Sequence, residues 1–299
     1  MRAFAWIGGT PLFDLSDLLP GHGVRLLAKA EYLNPSGSVK DRAAAAMLRD
    51  GMEKGRLSGG KTIIDATSGN TGISYAMLGA RLGLPVRIYL PRSASKERKQ
   101  ILRCYGARVI ETSPLGGMEE AAMLVREEVE AHPASYFYPD QYGNAANWRA
   151  HYTGTGPEIF QQTDGEVTHF VAAAGTGGTF LGCVRYLRRM RSIRAVLVEP
   201  DAPFHGIEGI LHSSGYPAEG FFRPEEADEV RAVTTEASYQ MARRLTRELG
   251  LFVGVSSGAN VRAALEVARE AAPGSVVVTI LCDAGNRYLT GPLWEENDA

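Results

Sequence analysis

Lys40 ends the run Asn34-Pro35-Ser36-Gly37-Ser38-Val39-Lys40-Asp41-Arg42, a turn-forming stretch that passes directly into a helical pattern. At a helix start the macrodipole disfavours a cation, and a lysine that becomes neutral there is an imine-forming nucleophile. Read without chemistry, Lys40 pairs with Asp41 or another nearby acid at the surface. A second segment, Thr67-Ser68-Gly69-Asn70-Thr71-Gly72, stands between the apolar run TIIDA and a helical pattern. Its amides and hydroxyls offer donors without charge, suited to a carboxylate or a phosphate at a helix N-terminus. One such residue would be an ordinary N-cap; four polar residues and two glycines exceed that need.

A third segment, Gly175, Thr176, Gly177, Gly178 and Thr179, follows HFVAAA and again precedes a helix, as a phosphate cradle does. No Gly-Lys-Ser/Thr follows, so it is not a Walker loop, and Phe180 stands where the dinucleotide pattern has its third glycine. Glu199 lies near the place of a ribose-binding acid, so this loop taken alone leaves a nicotinamide-cofactor oxidoreductase open. A fourth region combines Val255-Ser256-Ser257-Gly258-Ala259-Asn260 with Leu281-Cys282-Asp283-Ala284-Gly285-Asn286-Arg287-Tyr288. Cys282 and Asp283 stand where a strand meets its loop, within reach of a bound ring. Their plain readings are a small buried apolar residue and a helix cap.

Elements that position these segments alternate along the chain. Runs at 62–66, 86–90, 108–112, 169–174, 195–199 and 276–281 are mostly continuous in Val, Ile and Leu, as doubly buried parallel strands are. Between them, 40–54, 71–82, 118–131, 180–190 and 237–249 repeat apolar residues at helical spacing. The pattern predicts an α/β fold of two lobes, each a mostly parallel twisted sheet covered by helices. QYGNAAN, at residues 141–147, interrupts the alternation and divides a smaller lobe, 35–145, from a larger lobe, 146–299, to which segment 1–34 is joined. A ligand is expected in the crevice between them, at the carboxyl ends of the strands. Residues 200–224, rich in Gly, Pro and His, read as a long functional loop.

Composition narrows the partner. The chain has 299 residues, 44% apolar and 22% charged, with a net charge of -2, which gives no basic excess for nucleic acid or acidic membranes. Three widely spaced cysteines, Cys104, Cys183 and Cys282, form no CxxC pair and no metal-ligand spacing, so a reduced, cytoplasmic, metal-free protein is expected. No charged leader with an apolar run opens the sequence and no stretch has the length of a membrane span. The final EENDA carries no hydrophobic anchor.

Taken together, NPSGSVKDR, TSGNTG, GTGGT and VSSGAN resemble the cysteine synthase family, of the tryptophan-synthase-β-like pyridoxal-phosphate fold, from GGTPL to NRYLT. QYGNAAN, HYTGTGPEIFQQT and CDAGNRYLT are similar to its B branch. The resemblance implies pyridoxal 5'-phosphate held as an imine on Lys40, which also acts as base. It implies Asn70 at the cofactor's phenolic oxygen, Gly175 to Thr179 on its phosphate, and Cys282 or Asp283 beside its ring nitrogen. It implies Thr67, Ser68, Thr71 and Gln141 on the substrate carboxylate. The implied reaction is β-replacement on O-acetylserine through an aminoacrylate, with sulfide or a sulfur-carrier protein's thiocarboxylate as donor, in a homodimer. O-phosphoserine, or serine as in cystathionine β-synthase, is the alternative substrate, and no arginine within the motifs supplies a cation for a phosphorylated one. Leu211 stands where the B branch often carries arginine, which removes a partner for a large anionic donor such as thiosulfate.

Overall fold

The computed structural model describes residues 4–295, so residues 1–3 and most of the EENDA tail lie outside the described residues. Its first half contains β1 (Leu12–Asp14), β2 (Arg25–Ala30), α1 (Lys40–Glu53), β3 (Thr62–Ala66), α2 (Asn70–Leu82), β4 (Val86–Pro91), α3 (Lys96–Cys104), β5 (Arg108–Thr112), α4 (Gly117–Ala131) and β6 (Tyr136–Phe137). Its second half contains α5 (Ala146–Ala150), α6 (Gly156–Gln162), β7 (His169–Ala173), α7 (Gly178–Met190), β8 (Arg194–Pro200), β9 (Glu229–Val233), α8 (Thr235–Leu249), α9 (Val255–Glu270) and β10 (Val276–Leu281). Two sheets result, ordered β5-β4-β3-β6 and β1-β2-β10-β7-β8-β9, and every strand pair is parallel except β1 with β2.

The doubly buried strands explain the continuous apolar runs. All six residues of β10 are buried between β2 and β7, and the sheet's two faces carry separate cores. One includes Met241, Leu245 and Leu265 of α8 and α9; the other includes Phe180, Leu181 and Leu187 of α7. The smaller sheet buries Ile63 and Ile88 against Ala44, Met47, Ile73 and Leu78 of α1 and α2, and Ile64 against Ala121 and Val125 of α4.

Where the periodicity was faint, the structure adds elements. Twelve of the sixteen residues of α9 are buried, so it shows no amphipathic stripe, and Val255 to Asn260 form its first turns rather than a loop. The QYGNAAN interruption leads into α5 and α6, joined through a π-helical turn, His151–Thr155, that buries His151 and Thr155. The expected long loop is irregular apart from two short 3-10 turns, Ser213–Gly215 and Pro224–Glu226.

Candidate active site

Both segments expected to bind anions start helices at the carboxyl ends of strands. Gly69 caps α2 after β3, and Gly177 caps α7 after β7. Lys40 is the first residue of α1, and the loop before it is anchored on the C-terminal side of β10 by Val39 N–H donating to the Cys282 carbonyl at 2.8 Å. These three helix starts line one cavity system. Lys40, Asn70, Gly175, Thr176, Gly209 and Ile210 belong to both of its parts. The outer part, of about 430 Å³, adds Thr67, Ser68, Thr71 and Gln141, and the inner part adds Gly177, Gly178, Thr179 and Cys282.

Lys40 is half-buried, and its Nζ has no hydrogen bond or ion pair among the described residues. Asp41 is not its partner. That carboxylate is fully buried and accepts from the Ser36 amide at 2.7 Å, from Ser36 Oγ, and from Ser74 Oγ at 2.5 Å. Burial pushes the Asp41 pKa up, and the Ser36 and Ser74 donors oppose that. Gly37, at φ +86°, lets the loop pass over the buried Arg287 guanidinium, which donates to the Ser36 carbonyl. The loop before Lys40 is thus held from both sides.

Residues 175–179 contain no cation and three glycines. Thr176 Oγ1 accepts from Asn147 Nδ2 at 3.0 Å, and Thr179 Oγ1 lies 3.3 Å from His151 Nε2, so side chains from α5 and the π-helical turn brace the loop from behind. Burial keeps the His151 pKa far below its ordinary value, so the brace is neutral. The first-turn amides of α7 have no intrahelical partners and suit a phosphate dianion. Asn70 donates from Nδ2 to Asp283 Oδ2 at 2.8 Å; an amide nitrogen has a second hydrogen, and Oδ1 is buried with no partner. A phosphorylated aromatic aldehyde fits this donor set.

Cys282 and Asp283 point to opposite sides, as neighbours at a strand end do. Cys282 lines the inner cavity, where Asn260 Nδ2 lies 3.3 Å from its sulfur; burial pushes the thiol up to about 11, with Lys40 pulling the other way. Asp283 is fully buried behind Asn70, accepts from Tyr288 Oη at 2.7 Å, and is not among the cavity-lining residues. Thr71 Oγ1 donates to Gln141 Oε1 at 3.0 Å, joining two of the expected substrate residues. Glu199 accepts from the Ser213 amide at 2.9 Å and is also absent from the cavity lining.

Asn147 and His151, and Ser256 and Asn260 beside Cys282, join the site from within the quoted motifs without any mark in residue type or spacing that set them apart. The motifs contain no spare arginine, whereas Arg98 of α3, outside them, lines the outer cavity. Nothing in the charged run KERKQ distinguishes Arg98 from a surface arginine.

The chain is similar to known proteins over nearly its whole length. The family described as "Pyridoxal-phosphate dependent enzyme" matches residues 4–283. A cysteine synthase of Aquifex aeolicus is 45% identical over 98% of this chain and 91% of that protein. Cysteine synthase B of Salmonella typhimurium is 42% identical over 97% and 95%. The crystal structure of a cysteine synthase from Entamoeba histolytica superposes with a TM-score of 0.93 at 36% identity, covering 99% of this chain and 91% of that one.

Proposed function

This chain belongs to the pyridoxal-phosphate-dependent enzyme family, and from that premise we propose that it makes L-cysteine by replacing the acetoxy group of O-acetylserine with sulfur, taken from sulfide. One juxtaposition carries the reading: a lysine at a helix start, without a hydrogen bond or ion pair among the described residues, shares a cavity with two uncharged anion cradles. Residues 175–179 hold the phosphate, and Thr67, Ser68, Thr71 and Gln141 hold the amino acid's carboxylate. When bound, the cofactor supplies the electron sink that acidifies the substrate's α-carbon. Lys40 takes the α-proton and returns it after sulfur has added. Cys282, whose thiol burial keeps protonated at neutral pH, would offer a bound cofactor's ring a neutral neighbour, while Asp283 acts through Asn70 by fixing its amide.

The same reading treats 35–145 as the smaller lobe and 146–299 with segment 1–34 as the larger, and takes the enzyme to be a cytoplasmic homodimer. A sulfur-carrier protein's thiocarboxylate is the second donor it allows. No helix among the described residues is long and apolar enough to cross a membrane.

The visible absorption of the purified protein, recorded before and after O-acetylserine with O-phosphoserine and serine alongside, tests the assignment. A spectral change with acetate release on O-acetylserine alone supports it. A response only to another amino acid moves the specificity, and no cofactor absorption after incubation with pyridoxal phosphate overturns it.

The cradle gives a second expected result. Gly177 sits at φ +81°, and a Cβ there would run into the Phe222 ring. Left-handed backbone costs a non-glycine residue roughly 1–2 kcal/mol before that clash is counted. Gly177→Ala is therefore expected to raise the Kd for pyridoxal phosphate about tenfold or more in a spectroscopic titration.

A further inference from the structure

The outer cavity holds one guanidinium and one carboxylate among its described lining residues, and they are paired with each other. Arg98 Nη1 meets Glu208 Oε2. Arg98 is 4% exposed; its guanidinium lies 4.9 Å from the Tyr288 ring centroid, and its Nε is buried with no hydrogen-bond partner. Glu208 reaches it from the irregular loop, next to the fully buried Ile207, with about half of its side chain exposed at 52%. A fixed arginine is the favoured receptor for oxyanions because its fork matches two oxygens at once. Here one arm of the fork, Nη1, is already engaged by a carboxylate oxygen, and the pair contributes no net charge to the cavity wall.

We propose that Glu208 is the specificity-determining residue for the sulfur nucleophile: by occupying Arg98 it denies the cavity's one guanidinium to sulfur oxyanions and leaves the site to sulfide, which needs no bidentate partner. This rests on the cysteine synthase reading of the same cavity. The chemistry is otherwise permissive. After the α-proton has gone to Lys40 and acetate has left, thiosulfate's terminal sulfur would form the carbon–sulfur bond, the α-carbon would regain its proton from Lys40, and no oxidant or reductant is required.

The test is Glu208→Gln in the holoenzyme, with thiosulfate as the probe. Two quantities are read: the Kd for thiosulfate by titration calorimetry, and the ratio of kcat/KM for thiosulfate over sulfide with O-acetylserine. Glu208→Gln is expected to tighten thiosulfate binding and raise the ratio, each about tenfold or more. Adding Arg98→Met should abolish both gains, and Glu208→Asp should restore the ratio of the unmodified enzyme. A gain of this kind does not arise from damage to the fold, and Glu208→Ala serves should the glutamine variant not fold. Equal thiosulfate affinity in the variant and the unmodified enzyme, or a gain that survives loss of Arg98, overturns the proposal. Calorimetry reads the anion site whatever the amino-acid substrate, so failure of the cysteine synthase reading, seen as no cysteine from sulfide in the unmodified enzyme, is distinguishable.

Discussion

Lys40→Ala is expected to lower kcat/KM for cysteine formation at least about a thousandfold and to abolish the visible absorption of the lysine-bound cofactor, because in the proposed function one amine serves as both anchor and base. The structure isolates that role. Lys40 Nζ makes no hydrogen bond or ion pair among the described residues, and the adjacent carboxylate, Asp41, is turned away onto Ser36 and Ser74. Removing the side chain therefore breaks no bond of the fold, and the melting temperature should change little. The cradle formed by residues 175–179 does not depend on Lys40, so pyridoxal phosphate should still bind the variant, detectable by dialysis equilibrium, with the spectrum of the free aldehyde. Steady-state kinetics and the absorption spectrum together check the result. Activity within tenfold of the unmodified enzyme would show that another group abstracts the α-proton.

How much could be read beforehand follows from what each segment buries. Strands such as Thr62–Ala66 and Val276–Leu281 were legible because burial on both faces leaves a continuous run of Val, Ile and Leu bounded by turn residues. α1 and α8 were legible from their amphipathic stripes. α9 was not, since a helix buried nearly all round has no polar face to set its period. The pairing of β2 with β10, residues more than two hundred apart, is a non-local choice that no local pattern encodes. In the site, loops that follow strands and start helices converge by topology, so their order predicted their meeting. Which of Cys282 and Asp283 lines the cavity was not legible, because it depends on the alternation at the strand end in space. Arg98 needed the loop carrying Glu208 to be placed, because a helical arginine in a charged run has no sequence mark of burial.

Arg42→Met is expected to destabilise the fold by about 3–5 kcal/mol, the usual result of leaving a buried charge without its partner. Arg42 lies two residues beyond Lys40 and grips Glu31 through Nε at 2.6 Å and Nη2 at 2.8 Å, and Glu31 is fully buried. The other edge of the guanidinium meets Glu158 at 2.7 Å, and Glu158 also pairs with the buried Lys29 at 2.7 Å. Segment 8–10 closes the cluster, with the Gly9 amide on Glu158 and the Thr10 hydroxyl on Glu31. Substituting Arg42 alone leaves Glu31 with the neutral donors Thr10 and Asn34 and only the more distant charge of Lys29. Replacing both, as Arg42→Met with Glu31→Leu, removes the stranded charge and should cost less than Arg42→Met by itself, a reversal that simple loss of packing would not produce. Urea denaturation of the three proteins measures this, and a single-variant cost under about 1 kcal/mol would show that water or relaxation reaches Glu31. Acid should act on the same cluster through Glu158. Burial raises its pKa, but the Arg42 hydrogen bonds and charge, with Lys29, outweigh that and hold it at about 2, against an ordinary 4.5. A carboxylate depressed in the folded state contributes stability above its unfolded pKa and loses it as pH falls through the folded one. The unmodified protein should therefore lose stability between about pH 4.5 and about pH 2, and Arg42→Met should lose less over that window because Glu158 no longer has its strongest partner.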